Sequence, residues 1–144
     1  MNRRVEIAAE LLRRIRAHGE TTYPEEGAGF LLGTREGDTY RVVDIVPTPN
    51  VREEDARRTR YLISPEDTLR VEEEAERRGL SVIGVFHSHP DHPAQPSEFD
   101  REWALPWFVY LITSVEHGHA VESRVWRLAD DRSGFAEEPI VAIE

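Results

Sequence analysis

Residues 80–100 of the chain read LSVIGVFHSHPDHPAQPSEFD, and this stretch decides the fold class. It opens on a nearly all-apolar run, residues 80–86, which is typical of a strand that is buried on both faces of a sheet. The preceding segment has a capping pattern at Ser64 and a stop near Gly79, which predicts a helix between them. A strand, this helix and the strand at residues 80–86 follow one another, which predicts a helical crossover between two strands that pair in parallel.

The rest of the chain alternates between helix and strand patterns. Apolar residues at helical spacing predict a helix over residues 3–18, with Gly19 as its stop. Two apolar runs, residues 29–34 and 39–46, flank a Gly-Asp turn and predict a hairpin. A second capping pattern begins a helix at Ser97. Three further strands are predicted at residues 108–115, 121–128 and 135–143.

Together these elements predict an α/β fold with a central mixed β-sheet flanked by helices. The length of 144 residues matches the commonest size of one domain, so residues 1–144 are expected to form a single domain. The charged, proline-containing segment 47–60 is expected to be an exposed loop rather than a linker. Trp103 and Trp107 are expected to pack in the core, with a substrate groove as the alternative.

Composition narrows the chemistry that the chain can perform. It contains no cysteine, so the only plausible metal ligands are histidine, aspartate and glutamate. A net charge of −10 argues against binding nucleic acid through its phosphates, and it also suggests a high-salt habitat as a hypothesis. The first twenty residues lack the apolar stretch of a signal peptide and no later run has membrane-spanning length, which predicts a cytoplasmic protein without a membrane partner.

His87 and His89 stand at the end of the buried strand. Residues two apart in a strand project from the same face, so both imidazoles can reach one metal ion. Asp100 follows eleven residues after His89, and the intervening loop is long enough to fold its carboxylate back. Two histidines and one carboxylate suit zinc and leave a fourth position for water, which is the arrangement of a catalytic site.

A base must accept the proton of an attacking water molecule. Residues 23–33, YPEEGAGFLLG, place Glu25 and Glu26 immediately before an apolar strand, and either carboxylate can enter the active edge of the sheet. His92 lies in the same loop as the strand-end histidines, but a fourth protein ligand would close the site, so a loop or substrate-contact role is expected. The segment His117-Gly118-His119 repeats the His-x-His pattern, yet its glycine indicates an exposed turn.

These residues resemble the signature of the JAMM metalloproteases, also called the MPN+ or Mov34/JAB1/PAD-1 family, in its compact bacterial or archaeal type. That signature is a glutamate followed by His-x-His, ten residues and Asp, and His87, His89 and Asp100 have this spacing. The serine of the family lies three positions before its aspartate, where this chain has Ser97. Alignment on the glycine that opens the apolar strand selects Glu26. The similarity extends to Asn50 and to residues 61–65 and 110–112.

The resemblance implies a zinc-dependent peptidase or isopeptidase with an MPN-like fold. His87, His89 and Asp100 would bind one zinc ion per chain, Glu26 would be the general base, and Ser97 would stabilise the oxyanion. Many members of the family cleave next to the Gly-Gly end of ubiquitin or of ubiquitin-like proteins, including small sulfur carriers. A ubiquitin-like or sulfur-carrier protein is therefore the expected substrate, cut at a peptide or an isopeptide bond.

Two other classes of protein are weighed against this enzyme. A non-catalytic MPN scaffold generally lacks the metal ligands, whereas this chain has the full set. A zinc nucleobase deaminase would need a Pro-Cys-x-x-Cys pair, which a chain without cysteine cannot supply. Both comparisons favour the hydrolase.

Overall fold

One sheet of eight strands carries three α-helices in the computed structural model, which describes residues 3–143. In chain order the elements are β1 (Arg4–Ala8), α1 (Ala9–Thr22), β2 (Ala28–Glu36), β3 (Thr39–Thr48), α2 (Pro65–Arg77), β4 (Ser81–Pro90), α3 (Glu98–Trp103), β5 (Val109–Glu116), β6 (His119–Leu128), β7 (Phe135–Glu138) and β8 (Ile140–Ile143). A short 3₁₀ helix, Glu54–Ala56, lies in the loop between β3 and α2. Within the described residues no helix has the length and apolar character needed to cross a membrane.

The strands lie in the order β7-β6-β5-β4-β2-β3-β1-β8. Pairing is parallel between β4 and β5, β1 and β3, and β1 and β8, and it is antiparallel between the other neighbours. The central mixed sheet and the β2–β3 hairpin are therefore confirmed. The expected parallel pairing across α2 is wrong, because β2 lies between β3 and β4 and pairs antiparallel with both. The parallel neighbour of β4 is β5, which follows α3.

The single helix predicted over residues 3–18 is wrong at its start. Residues 4–8 form β1, in which Val5 and Ile7 are fully buried, and the helix begins at Ala9. Strand pairing with β3 and β8 outweighs the local helical pattern. Gly19 does not stop the helix, which continues to Thr22. A Cβ atom at Gly19 would lie 3.1 Å from Val115 and 3.2 Å from Ser88, so this glycine lets α1 approach the sheet closely.

The strand predicted over residues 135–143 is two strands, β7 and β8, at opposite edges of the sheet. Pro139 separates them, since proline has no N–H group to donate to a ladder. Because one residue joins the two edge strands, the sheet must curl until its edges approach each other. A contact between β6 and β3 agrees with this curl: the guanidinium carbon of Arg127 lies 4.5 Å from the centroid of the Tyr40 ring.

Each face of the sheet has its own apolar core. Helix α1 packs Leu11 and Ile15 against one face, and α2 packs Val71 and Ala75 against the other. The α2 helix begins as predicted, with the Ser64 side chain accepting a hydrogen bond from the Asp67 N–H group. The core-packing expectation for Trp103 and Trp107 is wrong, because these side chains are 67% and 60% exposed.

Close pairing of β4 with β5 depends on Gly84. A Cβ atom there would collide with the backbone carbonyl of Val109 in the neighbouring strand. We expect Gly84→Ala to lower the free energy of unfolding by about 1–3 kcal/mol, measured by urea denaturation. Gly134→Ala is the matched control, since nothing lies within 4 Å of a Cβ atom at that position. Equal stability of the two variants would contradict this explanation.

Candidate active site

The two histidines lie near the end of β4, between β2 and β5. His87 is 1% exposed and His89 is 6% exposed, and their ring centroids are 5.0 Å apart. The strand continues through Pro90, and its backbone ladder with β5 spans both histidines, while the ladder with β2 reaches His87. The sequence prediction that the two imidazoles lie side by side is confirmed.

Glu26 reaches the histidines from the segment before β2. Its Oε1 atom lies 3.6 Å from Nδ1 of His87, and the residue is 4% exposed. The next residue, Gly27, is bound twice to Ser88: its N–H donates to Ser88 Oγ (2.8 Å), and its carbonyl accepts from the Ser88 N–H (3.0 Å). Glu25 is less buried, and the cavity that it lines contains neither His87 nor His89. Of the two glutamates, Glu26 is the one that contacts the site.

A capping box presents Asp100. Ser97 Oγ accepts from the Asp100 N–H (3.0 Å), and Asp100 Oδ2 accepts from the Ser97 N–H (2.9 Å). The same Oδ2 atom lies 3.2 Å from His89 Nε2, and Oδ1 lies 3.6 Å from His87 Nε2. The loop therefore folds the carboxylate back onto both imidazoles, as the sequence predicted.

Charge interactions within this cluster shift two pKa values. Burial raises the pKa of Asp100, but the two histidines and the Ser97 N–H outweigh burial and hold it well below its usual range. Burial lowers the pKa of His89, but Asp100 and Glu26 outweigh burial and raise it. Asp100 is therefore a carboxylate at neutral pH.

Several polar atoms of the cluster are buried without a partner. Among residues 3–143, both ring nitrogens of His87 and Oε1 of Glu26 have no hydrogen bond. Buried polar groups are nearly always paired, so these atoms indicate that a further group binds between them. Glu26, His87 and His89 each offer one atom that could coordinate a metal ion, and these three atoms lie within 4.8 Å of one another. The residues thus fit a metal ion that accepts nitrogen and oxygen ligands, as zinc does.

A hydrogen bond orients the His89 ring. Its Nδ1 atom lies 2.9 Å from the Pro93 carbonyl, which can only accept, so Nδ1 carries the proton. Nε2 faces Asp100 Oδ2: it donates to that carboxylate when the ring is protonated, and it can bind a metal ion when the ring is neutral. Partners of this kind fix the tautomer of metal-binding histidines.

Tyr61 covers the other histidine and was not singled out as a site residue from the sequence. Its ring stacks on His87 with centroids 4.6 Å apart and an interplanar angle of 29°. Burial raises the pKa of the Tyr61 hydroxyl well above its usual range, and nearby carboxylates raise it further. The Tyr61 hydroxyl therefore stays protonated. Its ring, stacked on His87, restricts the orientation of that imidazole. Only its position in the family-like segment 61–65 could have indicated this role.

Asn50 ties the loop after β3 to the site. Its Nδ2 atom donates to the carbonyls of Glu26 and Arg60 (3.0 Å each), and its Oδ1 atom accepts from the N–H groups of Arg52 and Leu62 (3.1 Å each). One side chain thus makes four hydrogen bonds that no sequence spacing predicts.

Glu26 and His89 border a cavity of about 310 Å³. Thr59 and the loop after β4, including His92 and Ser97, complete its lining. The exposed position of His92 is compatible with the expected loop or substrate-contact role. The segment around Gly118 is an exposed turn between β5 and β6, as predicted.

Comparison with known proteins gives the family. A family model described as prokaryotic homologs of the JAB domain matches residues 8–129, a range that contains every candidate site residue. The chain belongs to this family. The JAMM resemblance and the MPN-like α/β fold are thereby confirmed.

Three relatives illustrate the similarity. A probable TtuB-protein conjugate cleaving protease from Thermus thermophilus is 37% identical over 103 residues, which cover 69% of this chain and 65% of that protein. A desampylase from Haloferax volcanii is 35% identical over 116 residues, or 77% of this chain and 81% of that protein. The solved structure of a protein from Desulfitobacterium hafniense has 29% sequence identity to this chain and a TM-score of 0.84. The match covers 97% of this chain and 93% of that protein's chain.

Replacing Asn50 tests how the loop is attached. We expect Asn50→Ala to lower the free energy of unfolding by about 1–3 kcal/mol, because four hydrogen bonds are lost together. Faster proteolysis of residues 50–60 should accompany this loss. Glu53→Ala is the control, since that side chain is 79% exposed in the same loop. If both variants resist unfolding and protease equally, Asn50 does not anchor the loop.

Proposed function

We propose that this protein is a zinc-dependent peptidase or isopeptidase that hydrolyses the bond after the C-terminal Gly-Gly tail of a ubiquitin-like or sulfur-carrier protein. The observation that carries the proposal is the buried cluster of two imidazoles and two carboxylates beside an open cavity, in which several polar atoms have no partner among residues 3–143. Family membership supports hydrolysis, and relatives named for cleaving protein conjugates support this class of substrate.

His87, His89 and Asp100 are the proposed zinc ligands. Asp100 contacts Nε2 of both rings, whereas Glu26 contacts only Nδ1 of His87. This shared contact favours Asp100 over Glu26 as the third ligand. Zinc at this position would supply a Lewis acid that polarises the scissile carbonyl and lowers the pKa of water. Three protein ligands leave room for substrate.

Glu26 is the proposed general base. Its carboxylate is buried next to His87, and Oε1 has no hydrogen bond among the described residues. It is therefore available to accept the proton of the attacking water and to return it to the leaving amine. The two hydrogen bonds between Gly27 and Ser88 hold it in place.

Ser97 is the proposed oxyanion donor. Its oxygen accepts the Asp100 N–H, so the hydroxyl hydrogen remains available for a second partner. The side chain lines the same cavity as Glu26. A donor at this place would stabilise the negative oxygen that forms when water adds to the carbonyl.

The shape of the site suits an extended tail without side chains. Thr59, Gln95 and Pro96 line the cavity together with Glu26 and His89. Glycine residues let a backbone approach closely packed walls, so a Gly-Gly end can bring its carbonyl to the histidines. The proposal also includes a cytoplasmic location, a single domain and no nucleic-acid partner, the last supported by the net charge of −10.

Glu26→Gln separates the role of a base from that of a ligand. We expect the variant to retain zinc and to cleave a Gly-Gly-tailed carrier conjugate about 10²–10⁴-fold more slowly, because a general base is lost. Initial rates and elemental analysis measure the two quantities. Glu25→Gln is the matched control and should change neither. Loss of zinc in Glu26→Gln would make Glu26 a ligand, and an unchanged rate would place the base elsewhere.

Ser97→Ala tests the oxyanion donor. The rate constant kcat should fall about 10²–10³-fold with zinc content unchanged, and Ser97→Thr should recover most of it because the hydroxyl is kept. Helical content measured by circular dichroism controls for loss of the α3 cap. A fall in zinc content that matches the fall in rate would assign Ser97 only to the positioning of Asp100.

A further inference from the structure

A second cavity lies at the end of the sheet opposite the candidate active site. Its volume is about 470 Å³, and Arg3, Arg35, Arg127, Trp107 and Asp130 contribute to its wall. Arg35 stands near the far end of β2, and Ala28, next to the site, begins that strand. Seven residues separate the two, which corresponds to roughly 23 Å at the rise of a β-strand. The two cavities are therefore distinct.

Arg127 is the buried arginine of this wall. The residue is 7% exposed, and its Nε and Nη2 atoms have no hydrogen bond among residues 3–143. Glu138 Oε1 lies 3.0 Å from Nε, but it too has no well-directed hydrogen bond. A guanidinium group offers five N–H donors, and the ion pair therefore leaves donor capacity unused.

Arg35 and Arg127 both contact the ring of Tyr40. The guanidinium carbons of Arg35 and Arg127 lie 4.9 Å and 4.5 Å from the centroid of its ring. The ring is buried, and its hydroxyl donates to the Trp107 carbonyl at 2.9 Å, so the position of the ring is fixed. Cation–π attraction offsets part of the repulsion between the two cations. An anion in the cavity that both arginines line would offset more.

The charge of the wall is opposite to that of the chain. The protein has 28 acidic and 18 basic residues, yet three arginines and one aspartate line this cavity. Glu138 adjoins Arg127 and Asp38 lies 3.9 Å from Arg3, so with Asp130 there are three carboxylates for three arginines, but none of them pairs with Arg35 among the described residues. For Arg35, the only partner that the described residues supply besides the Tyr40 ring is the Gly37 carbonyl.

We infer that this cavity binds a small phosphate-bearing anion. Planar guanidinium groups match the geometry of phosphate oxygens, and a cavity of this volume falls in the range of small-molecule sites. Trp107, which is 60% exposed at the wall, offers an aromatic surface for a ring attached to the phosphate. The phosphate group is the shared chemistry of two sources, inorganic phosphate and a nucleotide.

Calorimetric titration at low ionic strength tests this inference, with inorganic phosphate and AMP as probes. We expect one site per chain, weakened at least about tenfold by Arg3→Gln/Arg35→Gln. The double variant Arg13→Gln/Arg77→Gln is the control, because it removes the same charge from exposed positions outside the cavity. It should bind as the wild type does.

Tighter binding of AMP that Trp107→Leu abolishes would identify a nucleotide, and equal binding of both probes would identify phosphate alone.

Binding at the candidate zinc site is excluded by repeating the titration on His87→Ala/His89→Ala, which should bind phosphate unchanged. No saturable binding of either probe up to about 10 mM would overturn the inference. Equal weakening in both arginine double variants, or loss of binding in the histidine variant, would overturn it as well.

Discussion

The paired hydrogen bonds between Gly27 and Ser88 are the constraint on which the site depends. They join two segments that are 61 residues apart in sequence and hold Glu26 beside His87. Ser88 alternates with the two histidines, so its side chain points to the opposite face of β4, toward α1. That face accepts the helix because Gly19 has no Cβ atom to meet Ser88. Gly19 and Ser88 thus let α1 pack closely against one face of β4, while Glu26 meets His87 on the other face.

Asp100 depends on a second, local constraint. The capping box that starts α3 also aims its carboxylate at the imidazoles, so one set of hydrogen bonds both begins the helix and shapes the site. The carboxylate stays ionised because the histidines counter the effect of its burial. The loop after β3 closes the remaining side, where Asn50 fixes its backbone to that of Glu26. The backbone around all four proposed ligand and base residues is therefore fixed by strand pairing or hydrogen bonds, and Tyr61 stacks on His87.

Local sequence signals predicted much of this arrangement. The β2–β3 hairpin, the cap of α2, the buried strand β4 and the cap of α3 each depend on residues within a few positions of one another. The elements that were predicted wrongly depend on distant partners. β1 is a strand because it pairs with β3 and β8, and the break at Pro139 separates two edges that meet only when the sheet curls. Tyr61 and Asn50 were not assigned roles because their partners are scattered along the chain.

The central claim is that the histidines of β4 bind zinc, and metal stoichiometry tests it most directly. Zinc is measured by elemental analysis on the protein purified without a metal-binding tag, on His87→Ala/His89→Ala and on His117→Ala/His119→Ala. The last variant removes the other His-x-His pair, which lies in an exposed turn. The account predicts one zinc ion per chain, lost only when His87 and His89 are replaced. Absence of zinc from the wild type after zinc is supplied, or equal loss in both variants, would contradict it.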